Sequence, residues 1–200
     1  MLCRLLFSGL RSPLCLLTSF LLTTSVLTAC DHAYLHLQPG YQLPEFELLK
    51  PQTLNQNISA FQQIHVRIGD GQYQYEGAIE ITPDHIKMVL LNMWGQRIVT
   101  LNYDGKKMRV IRGSTAFTKL PFHHMLSDMQ IIFWPENILK NQLEATGWHI
   151  DEGAKERKIY YKQQLTAIIE YMQAPSWTAK LVYRNMAYNY EISINSILLD

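Results

Sequence analysis

Cysteine is almost absent from this chain. Its 200 residues contain three cysteines, and all of them, Cys3, Cys15 and Cys30, lie in the first thirty positions. The residues that follow therefore form no internal disulfide, and they have no thiolate for catalysis or for binding a metal.

Charge is almost absent from the same first thirty positions, where only Arg4 and Arg11 accompany a run of apolar and hydroxyl residues that begins at Leu14. The run is too short and too rich in serine and threonine for a membrane-spanning helix, which needs roughly 20 apolar residues. A positive start, a short apolar stretch and small residues before a cleavage site are typical of a secretory signal. We therefore predict a signal peptide over residues 1–29.

The predicted cleavage site reads Leu27-Thr28-Ala29-Cys30 and resembles the lipobox of bacterial lipoproteins. The resemblance implies that Cys30 receives diacylglycerol and an acyl chain such as palmitate, since a thiolate is the nucleophile that this modification needs. The alternative is an ordinary signal peptide with an incidental cysteine. On the lipoprotein interpretation, the protein is anchored to a membrane of the cell envelope, faces the periplasm and carries no other cofactor.

The residues after Cys30 bear on the location and on the division of the chain. In enteric bacteria, an aspartate directly after the acylated cysteine, as at Asp31, favours retention of a lipoprotein in the inner membrane. His32 beside it weakens this retention rule. We therefore expect the protein in the outer membrane. Residues 30–57 show little periodicity and contain several prolines, so we predict a lipidated N-terminus and tether there. The 27 residues after Cys30 reach at most ~90 Å. One domain is predicted over residues 58–200.

A basic excess is also missing. Without Arg4 and Arg11, 16 basic residues face 17 acidic ones, so no charge pattern indicates a nucleic-acid partner.

The sequence contains no Gly-x-Ser-x-Gly elbow, no His-Glu-x-x-His and no glycine-rich phosphate loop, and we predict that the protein is not an enzyme. His123 and His124 invite a metal interpretation. Adjacent helical residues point about 100° apart, however, and we predict no metal site.

What the sequence does contain is alternation with period two, the pattern of half-buried strands. Tyr73, Tyr75, Ile79 and Ile81 fall on one face of such a segment. Short turns separate the segments, which favours antiparallel meanders. Ten strands are predicted near residues 59–68, 72–82, 85–92, 96–103, 107–112, 147–151, 157–162, 165–173, 178–185 and 188–196. Between the fifth and sixth strands, helical spacing predicts two helices within 121–145.

A mostly β domain of this kind must bury the apolar face of its curved sheet. Ten strands can curl into a barrel whose mouth the helices cover, and such a mouth is a usual place for an apolar ligand cavity. The alternative is a fully packed barrel. Trp94, Phe133, Trp134 and Trp148 are interpreted as core or as pocket lining. The residues predicted to line a cavity are Tyr73, Tyr75, Val99, Leu101, Met125, Leu126, Met129, Ile169 and Tyr190.

Two segments carry a resemblance to a known family. They are residues 91–105, which read LNMWGQRIVTLNYDG, and residues 129–135, which read MQIIFWP and are followed by Leu139. Together with the lipobox, they resemble an uncharacterised bacterial lipoprotein family that is often encoded among genes for aryl-polyene pigment lipids and is similar to the LolA and LolB lipoprotein carriers. The resemblance implies an unclosed β-barrel with a helical lid over an apolar cavity. Carriers of that kind hold acyl chains and do no covalent chemistry.

Two functions follow as hypotheses. The first is an anchored lipoprotein that binds an acylated or other apolar molecule and assists its transfer to, or insertion in, the outer membrane. Its partners would be the lipid bilayer, that apolar ligand and envelope transport proteins. The second is a non-catalytic interaction module of an envelope export assembly, with a packed core and a docking surface.

Overall fold

The computed structural model describes residues 46–113, 121–143 and 146–199. Within these ranges a single ten-stranded antiparallel sheet has the order β5-β4-β3-β2-β1-β10-β9-β8-β7-β6. The strands are β1 (Ile58–Ile68), β2 (Gly71–Ile81), β3 (Ile86–Asn92), β4 (Arg97–Tyr103), β5 (Met108–Arg112), β6 (Trp148–Glu152), β7 (Glu156–Tyr161), β8 (Gln164–Tyr171), β9 (Lys180–Asn185) and β10 (Tyr190–Leu198). β5 and β6 do not pair with each other in the described residues, so the sheet is not closed.

The strand order follows from short turns and from one long-range pairing. Sequence neighbours pair through hairpins on each side, and the first strand pairs with the last, with Ile64 opposite Ile194. The turn between β1 and β2 contains Gly69 at φ +55°, a left-handed conformation that glycine adopts without strain. The predicted mostly β, unclosed antiparallel fold with ten strands is confirmed, with boundaries that shift by at most two residues.

Two helices lie between β5 and β6, as predicted: α1 (Phe122–Phe133) and α2 (Glu136–Leu143). Pro135 separates them, because proline fits the start of a helix and cannot continue the preceding one. The sequence predicted an apolar stripe along α1. In the structure nine of its twelve residues are buried, including the polar Ser127, Asp128 and Gln130. The helix is therefore covered on more than one side.

The second cover of α1 comes from residues 46–54, which lie inside the predicted tether. Phe46, Leu49 and Leu54 are buried in the core, and a short 3-10 helix, Pro51–Leu54, leads toward β1. The signal peptide, Cys30 and the tether up to residue 45 lie outside the described residues. In the part of the chain that the structure describes, no helix is long and apolar enough to cross a membrane.

Candidate functional site

The inner face of the sheet is the one that meets the helices. Six of the nine residues predicted to line a cavity are buried there to 8% exposure or less: Val99, Leu101, Leu126, Met129, Ile169 and Tyr190. Tyr73, Tyr75 and Met125 are half-buried. The structure thus places the nine on one side of the sheet or on α1, as expected from their spacing, and packs most of them into the core. Their role in ligand binding stays a prediction.

One part of the inner face is only half covered, and we call it the open strip. On β1 it continues the alternation of the buried Ile58 and Ala60 toward the turn at Gly69. In register across the strands, Ile64 lies opposite Tyr75 and Val66 lies between Tyr73 and Ile192. Each of these side chains is half-buried. The strip consists of Ile64, Val66, Ile68, Tyr73, Tyr75 and Ile192.

The open strip retains apolar surface that packing has not removed from water. Full burial of a valine or isoleucine side chain contributes about 1.5–3 kcal/mol, so several half-covered ones in one row leave a substantial gain for a further apolar group. Gly77 on the same face lets the Ile64 side chain lie close to the backbone of β2, because a Cβ there would lie 3.1 Å from Cδ1 of Ile64. A contiguous patch of this type on the inner face is a candidate contact for an apolar ligand.

The turn between β3 and β4 lies at the same end of the sheet as the open strip, because β1 and β3 run in the same direction. Trp94 is 81% exposed and Met93 is 65% exposed on this turn. The Asn92 side chain holds the turn: its Oδ1 accepts from the Trp94 N–H at 3.0 Å and from the Gln96 N–H at 2.9 Å. Trp94 is therefore neither core nor pocket lining, and both sequence interpretations of it are wrong. Phe133, Trp134 and Trp148 are core, as one interpretation held.

A buried polar network ties the middle of α1 to the sheet. Asp128 accepts from the Tyr183 hydroxyl at 2.8 Å and from the Tyr190 hydroxyl. The Asn185 amide donates to both tyrosine oxygens, at 2.9 and 3.1 Å. Beside the network, a cavity of about 30 Å³ is lined by both polar and apolar side chains, among them His124, Thr166, Ile131 and Ile159. Its volume suits one water molecule and is too small for an acyl chain.

The charge state of Asp128 depends on its burial. Loss of solvation raises the pKa of its carboxyl from 3.8 to about 6, although the hydrogen bonds from Tyr190 and Tyr183 act in the opposite direction. Burial likewise raises the pKa of both tyrosines, so they stay protonated and remain donors at neutral pH. At neutral pH the Asp128 carboxyl is therefore ionised, although its burial away from water disfavours the charged form.

Asp128 should make the protein more stable in mild acid than at neutral pH. The folded state binds its proton more tightly than the unfolded state, whose pKa is near 3.8. The favourable contribution is therefore full below about pH 4 and is lost as the pH rises through about 6, with a size of about 3 kcal/mol. Urea unfolding between pH 4 and 7 measures the slope. Asp128→Asn should flatten it, whereas Asp84→Asn, at an exposed position, should retain it. An unchanged slope in Asp128→Asn would contradict this assignment.

A second network holds the C-terminal end of α1. Arg157 on β7 is 1% exposed, and its Nη1 donates to the carbonyls of Ile131 at 2.5 Å and Trp134 at 3.0 Å. Glu152 neutralises the guanidinium at 2.5 Å, and the Tyr171 hydroxyl donates to the carbonyl of Ile132 at 2.8 Å. These donors satisfy carbonyls that a helix end leaves without intrahelical partners, and the positive charge suits the negative end of the helix.

Neither network was predicted from the sequence, although a signal existed for both. Arg157 occupies the same face of β7 as the buried Ile159, and Asp128 lies between the buried Leu126 and Met129 on α1. A charged residue at a position that periodicity assigns to the core is expected to have a buried partner.

Two adjacent histidines, His123 and His124, lie near the start of α1. The ring of His124 meets the edge of Tyr188 at 4.8 Å between centroids. Across residues 46–113, 121–143 and 146–199, no group of three or more histidine, cysteine, aspartate or glutamate side chains is placed to hold a metal ion.

Comparison with known proteins places the chain in a family. A family model described as "Protein of unknown function (DUF3261)" matches residues 59–198. The chain belongs to this family. The match covers the sheet from β1, apart from its first residue, to the end of β10, and it includes both helices. A search of curated protein sequences found no match.

Solved structures similar to this DUF3261 member share little sequence with it. A LolA superfamily protein from Nitrosomonas europaea is 8% identical, with a TM-score of 0.39 over 76% of this chain and 88% of its own. A putative outer membrane lipoprotein-sorting protein domain from Vibrio parahaemolyticus is also 8% identical, with a TM-score of 0.40 over 71% of this chain and 85% of its own.

Proposed function

We propose that this protein is a membrane-anchored lipoprotein that binds an acylated or other apolar molecule and assists its transfer to, or insertion in, the outer membrane. The observation that carries the proposal is the open strip, an apolar row on the inner face of the sheet that the helices leave half covered. The lipid on Cys30 would keep the domain at the membrane. Its partners are the lipid bilayer, the apolar ligand and envelope transport proteins.

The energetics of the strip favour an acyl chain as its ligand. Each methylene that moves from water onto an apolar surface contributes about 0.8 kcal/mol, and no charge in the strip opposes this transfer. The rings of Tyr73 and Tyr75 add flat apolar area. The sequence resemblance makes aryl-polyene pigment lipids the first ligand class to examine.

The exposed turn with Met93 and Trp94 supports a role next to a bilayer. Tryptophan is favoured at membrane interfaces, where one part of its ring is apolar and the other is wet. Asn92 fixes the turn, and it pairs with Tyr75 of the open strip across β2 and β3. An acyl chain leaving the strip at this end would therefore meet the membrane-facing turn first.

Photocrosslinking tests the proposed ligand and its position. The photoreactive residue p-benzoylphenylalanine is placed at Val66 in the full chain, which is expressed in bacterial membranes and irradiated. The matched control carries the same residue at His65, the neighbour whose exposed side chain lies on the outer face of β1. We expect mass spectrometry to detect a lipid adduct at position 66 and none above background at position 65, because only position 66 faces the strip.

Two results would count against the proposal. Equal lipid adducts at both positions would mean general exposure to the bilayer. A protein adduct at position 66, without any lipid, would favour the interaction module of an envelope export assembly.

A further inference from the structure

Residues 46–54 contact α1 and the residues that follow it on one side, and β4 with its following turn on the other. Gln130 of α1, which is fully buried, pairs with the main chain of Leu49 in both directions. Its Oε1 accepts from the Leu49 N–H at 2.8 Å, and its Nε2 donates to the Leu49 carbonyl at 2.8 Å. Nearby, Nε1 of Trp134 donates to the Thr53 hydroxyl at 3.0 Å. The Gln130 amide thus makes the same pair of hydrogen bonds with Leu49 that a neighbouring strand would make.

The opposite side of the segment touches β4 and the turn that follows it. The Tyr103 hydroxyl donates to the Leu48 carbonyl at 3.3 Å. A Cβ built on Gly105 would lie 3.2 Å from Cδ of Pro51 and 3.5 Å from Cβ of Lys50. The segment is therefore hydrogen-bonded to the α1 side chain of Gln130 and also to Tyr103 of β4.

Release of the segment would break no strand pairing in the described part of the sheet. In the described residues it pairs with no strand, and its hydrogen bonds to the helix come from two side chains. It joins β1 through residues 55–57, which are exposed, and Asn55 has the left-handed φ of +53°. A short exposed joint of this kind can absorb a change in backbone angles while the strand after it stays fixed.

We propose that residues 46–54 form a strap that holds α1 closed against the inner face of the sheet, and that release of the strap frees the helix and widens the space beside the open strip. The inference rests on the proposed function for its purpose, since an acyl chain needs more room than the cavity of about 30 Å³ beside Asp128 offers. The structural part of the inference is that the closed position of α1 depends on the strap, and this part does not require the proposed function. The strap lies inside the predicted tether of residues 30–57, and it includes the described residues nearest to Cys30 along the chain.

Hydrogen exchange tests that dependence in the full chain held in lipid nanodiscs. Gln130→Leu leaves the Leu49 N–H and carbonyl without their partner, and it should speed exchange at least about tenfold in both the strap and α1, because an unpaired buried polar group strongly favours opening. The control is Gln62→Leu, since Gln62 is equally buried but lies on β1 and contacts Ser196 at 3.4 Å. It should leave the exchange of α1 unchanged. Faster exchange in the strap alone would overturn the proposal.

A reversible crosslink provides the opposite test and does not depend on the Gln130 variant folding. The variant with Lys50→Cys and Gly105→Cys places two Cβ atoms near 3.5 Å apart, within the range of a disulfide. The same molecule is compared oxidised and reduced, which cancels the strain of cysteine at position 105. Oxidation should slow the exchange of α1 and lower the lipid adduct at position 66, and reduction should reverse both.

The two readouts separate the two claims. Unchanged exchange of α1 on oxidation overturns the strap, whatever the lipid result. Slower exchange of α1, with no lipid adduct at position 66 in either state, supports the strap and contradicts the proposed function.

Discussion

Replacing Arg157 by leucine is expected to lower the free energy of unfolding by about 3–5 kcal/mol, since removal of one partner of a buried ion pair leaves the other charge uncompensated. Glu152 would lose its partner, and the carbonyls of Ile131 and Trp134 would lose their donor. Urea denaturation of the full chain, followed by circular dichroism, measures the change. The end of α1 should also become less protected from hydrogen exchange.

The matched control for this substitution is Arg184→Leu. Arg184 also contacts two carboxylates, Glu170 at 2.6 Å and Glu191 at 2.9 Å, but it is 45% exposed on the outer face. Exposed pairs of this type contribute less than about 1 kcal/mol. If both arginine variants lost the same small amount of stability, Arg157 would not be the buried support of α1 that its contacts indicate.

Replacing Trp134 by alanine is expected to cost about 3–5 kcal/mol, the usual range for removal of a large buried aromatic side chain. Trp134 is fully buried, its ring meets the edge of Trp177 at 6.3 Å, and its indole N–H reaches the strap. Thermal and urea unfolding both report the loss. Trp134→Phe should recover most of the stability, because it retains much of the ring while losing the hydrogen bond to Thr53.

The control for the tryptophan is Trp94→Ala. Since Trp94 is largely exposed on its turn, this change should leave stability within about 0.5 kcal/mol of the starting protein. A large loss of stability in Trp94→Ala, or a small one in Trp134→Ala, would mean that the contacts of the two side chains have been assigned incorrectly.

The strands of this protein were predictable because their alternation is local and regular. β2 shows this well: its inward Ile79 and Ile81 are buried, and its outward Glu80 is exposed, as period two requires. The ranges between turns then fix ten strands, and short turns force antiparallel pairing. The two helices followed from a change of period and from Pro135.

Long-range contacts account for what could not be predicted. Gln130 reads as an ordinary helical residue until Leu49, 81 positions away, is placed on it. Trp94 reads as core by composition, and only the turn geometry set by Asn92 shows that its side chain is exposed. Periodicity assigns each side chain to one face of the sheet, but it does not tell how far other residues bury that side chain. The open strip and the buried core around Ile79 and Ile81 therefore look the same in the sequence.

Transfer of an acyl chain between membranes is the most direct measure of the central claim. The full chain is reconstituted in donor vesicles that carry a fluorescent acylated lipid, and its arrival in acceptor vesicles is followed with time. The account predicts faster transfer than from protein-free vesicles, loss of that acceleration in Val66→Asp, and its retention in His65→Asp, which introduces the same residue on the opposite face of β1. Transfer at the protein-free rate, or equal transfer by the two variants, would contradict it.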